Sequence, residues 1–466
     1  MRFLCVLMGV FALGFTAEAA DKPNIIVILC DDLGYGDLGC YGHEHIKTPH
    51  LDQMAKDGTR FTSFYSTAPV CSPSRVGLLT GRSPNRAGVY DWIPGGHRMH
   101  MRASEVTIAQ VLKKAGYATC MSGKWHCNGA FNTTRQPQPD AAGFDHWFAT
   151  QNNAAPSHRN PGNFVRNSEK VGPLKGFSAH LVVDEGINWL KGHREKNPDQ
   201  PFFMYVAFHE PHEPVASPKA MVDGYMDVVE KREQAEYFAN VENLDAAVGK
   251  LVAYLDEQKL SDDTLIIFTS DNGPETLNRY GRGSARSYGV PGPLRGMKLW
   301  TTEAGFRVCG IMKWPGKVKA GVVSDHVVSA LDFLPTFADL AGAEVPKELA
   351  LDGANFLPVL KDKAIEREKP LVWAYYGALN QRRVAMRDGD WKVLAKLQGV
   401  GKFKTLTKKN AEGVKKAALT DVQIFRVVDD IHESKDLSKS DPEALKTLTA
   451  RLEKYYGELL EDSHVW

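Results

Sequence analysis

The sequence predicts an α/β protein, in which a large, mostly parallel (mixed) sheet is sandwiched by helices and a small α+β domain follows at the C-terminus. Two continuous apolar runs, 24–29 and 264–270, are typical of strands buried on both faces of a parallel sheet. Helical patterns alternate with such strands along most of the chain, which favours helices on both sides of the sheet. With 466 residues, 43% of them hydrophobic, the chain can bury a sizeable core.

The predicted elements of the main domain follow in chain order. They are a strand at 24–29, a short helix near 49–54, a strand at 61–66, a helix beginning near 71, a helix at 105–116, a strand at 117–121, a helix at 178–194, a strand at 201–208, a helix at 234–260, a strand at 264–270 and a helix at 327–342. Residues 128–177, rich in Asn, Pro and Gly, are expected to form a long functional loop.

The C-terminal part is separated by a charged stretch, 360–370, that we interpret as a linker. The predicted organisation is therefore a signal peptide at 1–20, a catalytic domain at 21–362 and an α+β subdomain at 363–466. Within the subdomain, short strands are predicted at 371–376, 384–386 and 391–394, with a closing helix at 442–460.

The first twenty residues predict export. Arg2 precedes an apolar run at 3–15, and the Ala-Glu-Ala sequence at 17–19 offers a cleavage site. This pattern is typical of a secretory signal peptide and is short for a membrane span. We therefore expect a periplasmic or secreted protein, or one in a lysosomal-type lumen if the source is eukaryotic, with no stable membrane association.

Charge and cysteine content exclude several classes of protein. Lys plus Arg number 57 against 56 Asp plus Glu, a formal net charge of +1, so no overall field attracts nucleic acid. An anionic ligand must therefore be recognised by a local group of cations, and the lysine-rich tract 402–416 is interpreted as a solvated loop. Six cysteines after residue 20, without zinc-type spacing, are not a disulfide framework.

Acidic side chains follow the two apolar strands where each one ends. Asp31 and Asp32 follow the first strand, and Asp271 and Asn272 follow the second. The carboxyl ends of parallel strands meet at one edge of a sheet, where open α/β sheets bind ligands. Adjacent carboxylates suggest a cation between them, and an all-oxygen set suits Ca²⁺ better than Mg²⁺ or Mn²⁺. Taken singly, each Asp is equally explained as a turn residue.

Residues 71–82, Cys-Ser-Pro-Ser-Arg-Val-Gly-Leu-Leu-Thr-Gly-Arg, are unusual for a buried element. Pro73 predicts a helix start, which places Cys71 at a helix N-terminus that favours an anion. Arg75 lies one turn further on the same face, so Cys71 could be a nucleophile of low pKa. The alternative is an ordinary buried cysteine.

This stretch resembles the sulfatase signature, C-x-P-S-R followed by L-x-T-G-R. The resemblance covers nearly the whole mature chain and implies an alkaline-phosphatase-like fold and an arylsulfatase-like hydrolase of a small-molecule or glycan sulfate ester. It implies that a formylglycine-generating maturation enzyme oxidises Cys71 to formylglycine (3-oxoalanine), the nucleophile. It also implies that residue 71 joins the four strand-end residues as a ligand of Ca²⁺.

Further catalytic residues lie in other segments that match the family. Lys124 and His126 lie in Gly-Lys-Trp-His, His212 lies in Pro-His-Glu-Pro, and Lys298 lies in Gly-Met-Lys. Fixed cations are the expected partners of a sulfate ester. The resemblance implies that Lys124, His212 and Lys298 bind the sulfate, and that His212, with Lys298, protonates the departing alcohol. It implies that His126 takes a proton when the sulfo-enzyme breaks down, and that Arg75 steadies the formylglycine.

Some positions depart from the family pattern. Residues 127–129 replace the usual apolar residue and Gly, and Glu303-Ala304-Gly305 replaces Glu-Gly-Gly. A family Ser or Asn near the sulfate is not placed, with Gln151 and Asn152 nearest. Two other functions therefore stay open: a phosphate or phosphonate monoester hydrolase of the same fold, and a catalytically silent binder of sulfated glycans. One acidic cluster with two lysines favours sulfate, and the filled catalytic positions disfavour the silent binder.

Long loops at 86–102, 128–177 and 275–293 suggest a sulfated carbohydrate as the substrate. We expect cationic and aromatic side chains of these loops to bind the sugar. They are His97, His100, Arg102, Arg282 and Arg286, with Tyr90, Trp92 and Tyr280 available for stacking.

Overall fold

The computed structural model describes residues 22–276 and 285–466, so the predicted signal peptide lies outside the described residues. One large sheet runs through the molecule. Its strands are β1 Asn24–Asp31, β2 Thr59–Tyr65, β3 Ala118–Lys124, β4 His146–Thr150, β5 Val165–Arg166, β6 Glu169–Lys170, β7 Phe202–Pro211, β8 Thr264–Ser270, β9 Arg307–Lys313, β10 Val322–Ser324 and β11 Val328–Ser329.

The strand order is β10-β2-β9-β8-β1-β7-β3-β4-β5-β6, with β11 beside β2. β1 lies between β7 and β8 and is parallel to both, while β9 is antiparallel to β8 and β2. The predicted class, a mostly parallel but mixed sheet, is thereby confirmed. Every residue of β1 is buried, as its continuous apolar sequence predicts.

Helices cover both faces of the sheet. They are α1 Pro49–Asp57, α2 Cys71–Thr80, α3 Ile108–Lys114, α4 Ser178–Lys196, α5 Lys219–Asp223, α6 Arg232–Glu257, α7 Glu303–Phe306, α8 Phe333–Leu340, α9 Ala411–Lys416 and α10 Pro442–Glu461. Alternate side chains of β1 enter two separate cores: Ile25 and Val27 pack with residues of α2, α3 and α8, whereas Ile26 and Ile28 pack with residues of α1, α4 and α6. None of these helices, within the described ranges, is long and apolar enough to cross a membrane.

Two elements of the main domain differ from the expectation. Residues 128–177 are not a loop throughout, because β4 joins the sheet beside β3 and is followed by the β5–β6 hairpin. β4 has only five residues, too few for a pattern to be recognised in sequence. The helix expected from 105 begins instead at Ile108, where Thr107 and Gln110 form a capping box.

The C-terminal sheet is antiparallel, as expected of an α+β subdomain. Its strands are β12 Leu371–Ala374, β13 Val384–Asp388, β14 Trp391–Leu397 and β15 Leu419–Arg426. Leu452 and Tyr456 of α10 are buried in the same core as Val393 of β14. The lysine-rich tract between β14 and β15 is not only a loop, since it contains α9. The boundary at 362/363 stays a prediction.

A buried ionic network joins the C-terminal sheet to the main domain. The Lys392 ammonium lies 2.7 Å from a Glu303 carboxylate oxygen and 3.4 Å from Glu433. The other Glu303 oxygen accepts hydrogen bonds from Tyr65 at 2.6 Å and Arg307 at 3.1 Å. Burial opposes ionisation of Glu303, but the charges of Lys392 and Arg307 lower its pKa to about 2.

Replacing Lys392 by methionine is expected to reduce the free energy of unfolding by about 3–5 kcal/mol, because two carboxylates would stay buried without their ammonium partner. Lys396→Met is the matched control on the same strand. Lys396 pairs with Asp421 at the surface, so its loss should cost about 1 kcal/mol or less. Denaturant unfolding measures both, and equal losses would contradict a stabilising role for the network.

Candidate active site

The predicted site residues lie together at the carboxyl edge of the large sheet. Asp31 ends β1, Asp271 directly follows β8, Lys124 ends β3 and His212 directly follows β7. Because β8, β1, β7 and β3 are consecutive in the sheet, their ends form one surface. This is the edge where open α/β sheets bind ligands.

The position of Lys124 at the end of β3 depends on the glycine that precedes it. Gly123 has φ +114°, and a Cβ there would lie 1.8 Å from the Ala207 carbonyl oxygen of β7. Only glycine allows the backbones of β3 and β7 to approach at this point. The following side chain, Lys124, points its ammonium at Asp31, 2.5 Å from the carboxylate.

Arg75 connects several of these residues from the second turn of α2. Its guanidinium contacts Asp271 Oδ2 at 2.8 and 2.9 Å, lies 3.8 Å from Asp31 and donates to the Lys124 carbonyl at 3.0 Å. Asp31 and Asp271 are therefore close enough to share one partner. The contacts of Arg75 show that it orients the strand-end carboxylates.

Neighbouring cations outweigh burial at Asp31 and Asp32 but not at Asp271. Burial disfavours the ionised form of Asp31, but Lys124 above all holds the pKa of that carboxyl well below its ordinary value. The pKa of Asp32 is also lowered, mainly by Lys298, whose ammonium contacts it. Burial and the charge of Asp31 instead raise the pKa of Asp271 to about 7.

Three buried oxygens here have no hydrogen-bond partner among the described residues. They are Asp31 Oδ1, Asp32 Oδ2 and Asn272 Oδ1. Such oxygens carry a large penalty unless another partner binds them. Asn272 donates to Asp32 at 2.8 Å through its nitrogen, which leaves its oxygen available. Ligand atoms of Asp31, Asp32 and His212 also lie within 4.8 Å of one another. The oxygens of Asp31, Asp32 and Asn272 fit a hard cation with oxygen ligands.

Cys71 opens α2 and is 3% exposed. The prediction of a low pKa is wrong: burial raises the pKa of the thiol, even though Lys124 and Lys298 act to lower it. The unmodified thiol is therefore a poor nucleophile at neutral pH.

The two histidines are held by backbone carbonyls. His126 Nε2 lies 3.1 Å from the Ile93 carbonyl, which leaves its buried Nδ1 without a partner among the described residues. His212 Nδ1 lies 2.7 Å from the Glu213 carbonyl, and its Nε2 faces Asp32 at 3.7 Å. Burial lowers the pKa of His212 to about 3 and holds that of His126 well below its ordinary value. Both rings are therefore neutral in the free site.

A cavity of about 680 Å³ opens above these groups. Cys71, His126, His212 and Lys298 line it, as do Asn152 and Asn153 near the position where a polar family residue is expected. Further lining residues that sequence reasoning missed are Asp91, Tyr375, Lys402 and Lys404. No local pattern identifies the last three, since the C-terminal domain brings them to the cavity.

Of the residues expected to bind a sugar, Trp92 and Arg286 line the cavity, but Tyr90, His97, His100 and Arg102 do not. Tyr90 is buried and its hydroxyl donates to the His464 carbonyl at 2.5 Å. Arg102 pairs with Glu105 at 2.5 Å. Internal contacts thus hold Tyr90 and Arg102, and sugar binding by these four residues stays a prediction. Arg282 and Tyr280 lie outside the described residues.

Comparison with known proteins agrees with this geometry. The sulfatase family model matches residues 23–343, and the model for the C-terminal part of N-sulphoglucosamine sulphohydrolase matches 297–440. Human arylsulfatase A is 38% identical over 381 residues, 75% of this chain and 70% of that protein. N-acetylgalactosamine-6-sulfatase from Sus scrofa is 34% identical over 392 residues, 78% of this chain and 71% of that protein.

Among solved structures, Ps i-CgsB in complex with k-i-k-neocarrahexaose superposes with a TM-score of 0.78 at 29% identity, covering 95% of this chain and 94% of that one. The fold and the site together define a hydrolase of anionic esters. The chain belongs to the sulfatase family, and its activity is the hydrolysis of sulfuric esters.

Proposed function

We propose that this sulfatase cleaves a sulfate ester of a carbohydrate, using a formylglycine made from Cys71 by a maturation enzyme and a bound Ca²⁺. The proposal rests on three buried oxygens, of Asp31, Asp32 and Asn272, that have no hydrogen-bond partner among the described residues. Lys124 and Lys298 contact the two carboxylates, and Cys71 and Lys298 line the neighbouring cavity. Export with removal of residues 1–20 belongs to the same proposal. The carbohydrate substrate is supported by the size of the cavity, by the similarity to N-acetylgalactosamine-6-sulfatase and by the neocarrahexaose bound in the structural neighbour.

The strand-end residues would hold the cation. Asp31, Asp32, Asp271, Asn272 and the residue-71 oxygen are its proposed ligands. When bound, Ca²⁺ would neutralise negative charge on the sulfate oxygens and favour the ionised form of the carboxylates. Arg75 keeps Asp271 oriented, and we propose that it also steadies the formylglycine.

The chain's own side chains bind the sulfate and move the protons. Lys124 and Lys298 face the position of residue 71 and would neutralise the sulfate oxygens. One hydroxyl of the hydrated aldehyde loses its proton to water as its oxygen bonds to sulfur and the ester S–O bond breaks, and the alcohol leaves with a proton from His212. The second hydroxyl then loses its proton to His126 Nδ1, the bond between the side-chain carbon and the sulfate oxygen breaks, and sulfate leaves as the aldehyde re-forms.

His212 must gain its proton before it can act as an acid. In the free site burial keeps it neutral, with a pKa of about 3. A sulfate ester brings negative charge next to the ring, which favours the protonated form. Substrate binding therefore acts to raise the pKa of His212.

We expect the matured protein to hydrolyse an aryl sulfate on the order of 100-fold or more faster than the matching aryl phosphate, equivalent to about 3 kcal/mol of transition-state binding. One cation site and two lysines suit a singly charged sulfate better than a doubly charged phosphate. Peptide mass spectrometry should show an aldehyde at residue 71. Preferred hydrolysis of the phosphate would favour the phosphomonoesterase, and a persistent thiol without turnover would favour the silent binder.

A further inference from the structure

The charges around the cavity are mostly paired. Lys298 contacts Asp32, and Arg286 lies 2.7 Å from Glu213. These cations therefore have protein counter-ions in the free enzyme.

Two further lysines of the cavity differ from Lys298 and Arg286, because they form no ion pair with the residues that the structure describes. Lys402 and Lys404 have no carboxylate within 4.0 Å in the described part of the chain. Asp91, an acidic residue of the cavity wall, instead accepts hydrogen bonds from the Trp92 backbone at 2.8 Å and from the Tyr375 hydroxyl at 3.2 Å. The two ammonium groups thus add positive charge to this wall without being held in an ion pair by any described side chain.

An aromatic ring holds one of these ammonium groups in place. Lys404 Nζ lies 4.8 Å from the centroid of the Trp92 ring, a cation–π contact. Trp92 is 36% exposed at the cavity wall, so the contact orients the charge without removing it from solvent. An anion entering the cavity can therefore reach Lys404 without first breaking an ion pair.

The position of these lysines is specific within a tract of similar residues. Lys402 and Lys404 line the cavity, while Lys408 and Lys409 of the same tract do not. The tract belongs to the segment between β14 and β15 of the C-terminal sheet, whereas Trp92 belongs to the main domain. The interpretation of the tract as only a solvated loop is therefore incomplete.

We propose that Lys402 and Lys404, with Trp92, form a subsite for a second anionic group of the substrate. Its ligand is a sulfate or a carboxylate carried by the same glycan as the ester that is cleaved. This inference rests on the proposed function, because the glycan must place its scissile sulfate at residue 71. A cavity of about 680 Å³ is large enough for sugar rings that carry both groups.

Calorimetric binding to the full-length Cys71→Ala protein tests the subsite without turnover. The probes are a disulfated disaccharide, the same disaccharide with one sulfate, and a monosulfated disaccharide containing a uronic acid. Adding Lys402→Gln and Lys404→Gln together should weaken binding of the doubly anionic probes about tenfold, as expected for two exposed ion pairs. Binding of the monosulfated probe should change by less than about twofold. Which doubly anionic probe loses more affinity distinguishes sulfate from carboxylate.

Two controls distinguish the effect of where these lysines lie from the effect of removing any positive charge. Lys408→Gln with Lys409→Gln removes the same charge from the same tract and should leave all three affinities unchanged. Lys404→Arg should retain most of the binding, since it keeps the cation. Equal loss for every probe, equal loss in the control pair, or no binding of the disulfated probe overturns the subsite. Hydrolysis of an aryl sulfate by the enzyme without any substitution is measured in parallel. This activity tests the proposed function and does not depend on the subsite.

Discussion

Replacing Cys71 by alanine is expected to reduce turnover of an aryl sulfate on the order of 10⁴-fold or more, because it removes the precursor of the nucleophile. The change should leave the fold intact. The side chain is small and opens α2, whose end is fixed independently by Gly81 in the left-handed conformation. Initial rates and the thermal unfolding midpoint measure the two effects.

Cys120→Ala is the matched control for that variant. Cys120 is an equally buried free cysteine on β3, in the core on the α4 side of the sheet. Its loss should leave turnover close to that of the unaltered enzyme. Cys71→Ser adds a second comparison, because a maturation enzyme specific for cysteine would leave the serine as an alcohol. Substantial turnover by Cys71→Ala would exclude the covalent route.

Removing divalent cations with a chelator is expected to abolish turnover and to lower the thermal midpoint by roughly 2–4 °C. Cation binding would satisfy the unpaired oxygens of Asp31, Asp32 and Asn272, so its loss affects stability as well as catalysis. Ca²⁺ should restore both quantities more completely than Mg²⁺, since an irregular all-oxygen shell suits the larger ion.

The variant Asn272→Ala tests the same cation site by mutation. It deletes one of the three unpaired oxygens and the hydrogen bond to Asp32. We expect a higher Ca²⁺ concentration to be needed for half-maximal thermal stabilisation. If the chelator leaves the midpoint unchanged and Asn272→Ala responds to Ca²⁺ like the unaltered enzyme, a bound cation at this edge is contradicted.

Local sequence predicted the parts of the site that lie at strand and helix ends. The apolar runs of β1 and β8 fix where each strand stops, and the residues after them are therefore at the ligand-binding edge. The Ser-Pro after Cys71 likewise fixes the start of α2. Prediction was weaker where an element is short. β4 depends on pairing with β3, and pairing between distant segments leaves no periodic signal.

The residues expected to bind the sugar show a second limit of prediction from sequence. Tyr90, His100 and Arg102 have the right chemistry, but their side chains make internal contacts, and a residue type does not reveal which partner it will find. Conversely, Lys404 was indistinguishable in sequence from its lysine neighbours. The low-pKa assignment of Cys71 failed for a related reason: burial outweighs the nearby cations, and the depth of a side chain is a property of the packed molecule.

By itself, the sequence determined the α/β class, the positions of the acidic strand ends and the helix start at Cys71, because these follow from hydrophobic patterns over a few consecutive residues. Only the tertiary structure decided that three buried strand-end oxygens have no hydrogen-bond partner among the described residues. It also decided that Arg75 contacts both Asp271 and Asp31, and that the C-terminal domain supplies Lys404 to the cavity. These are contacts between segments far apart in the chain. Their formation depends on how the whole sheet and its helices pack.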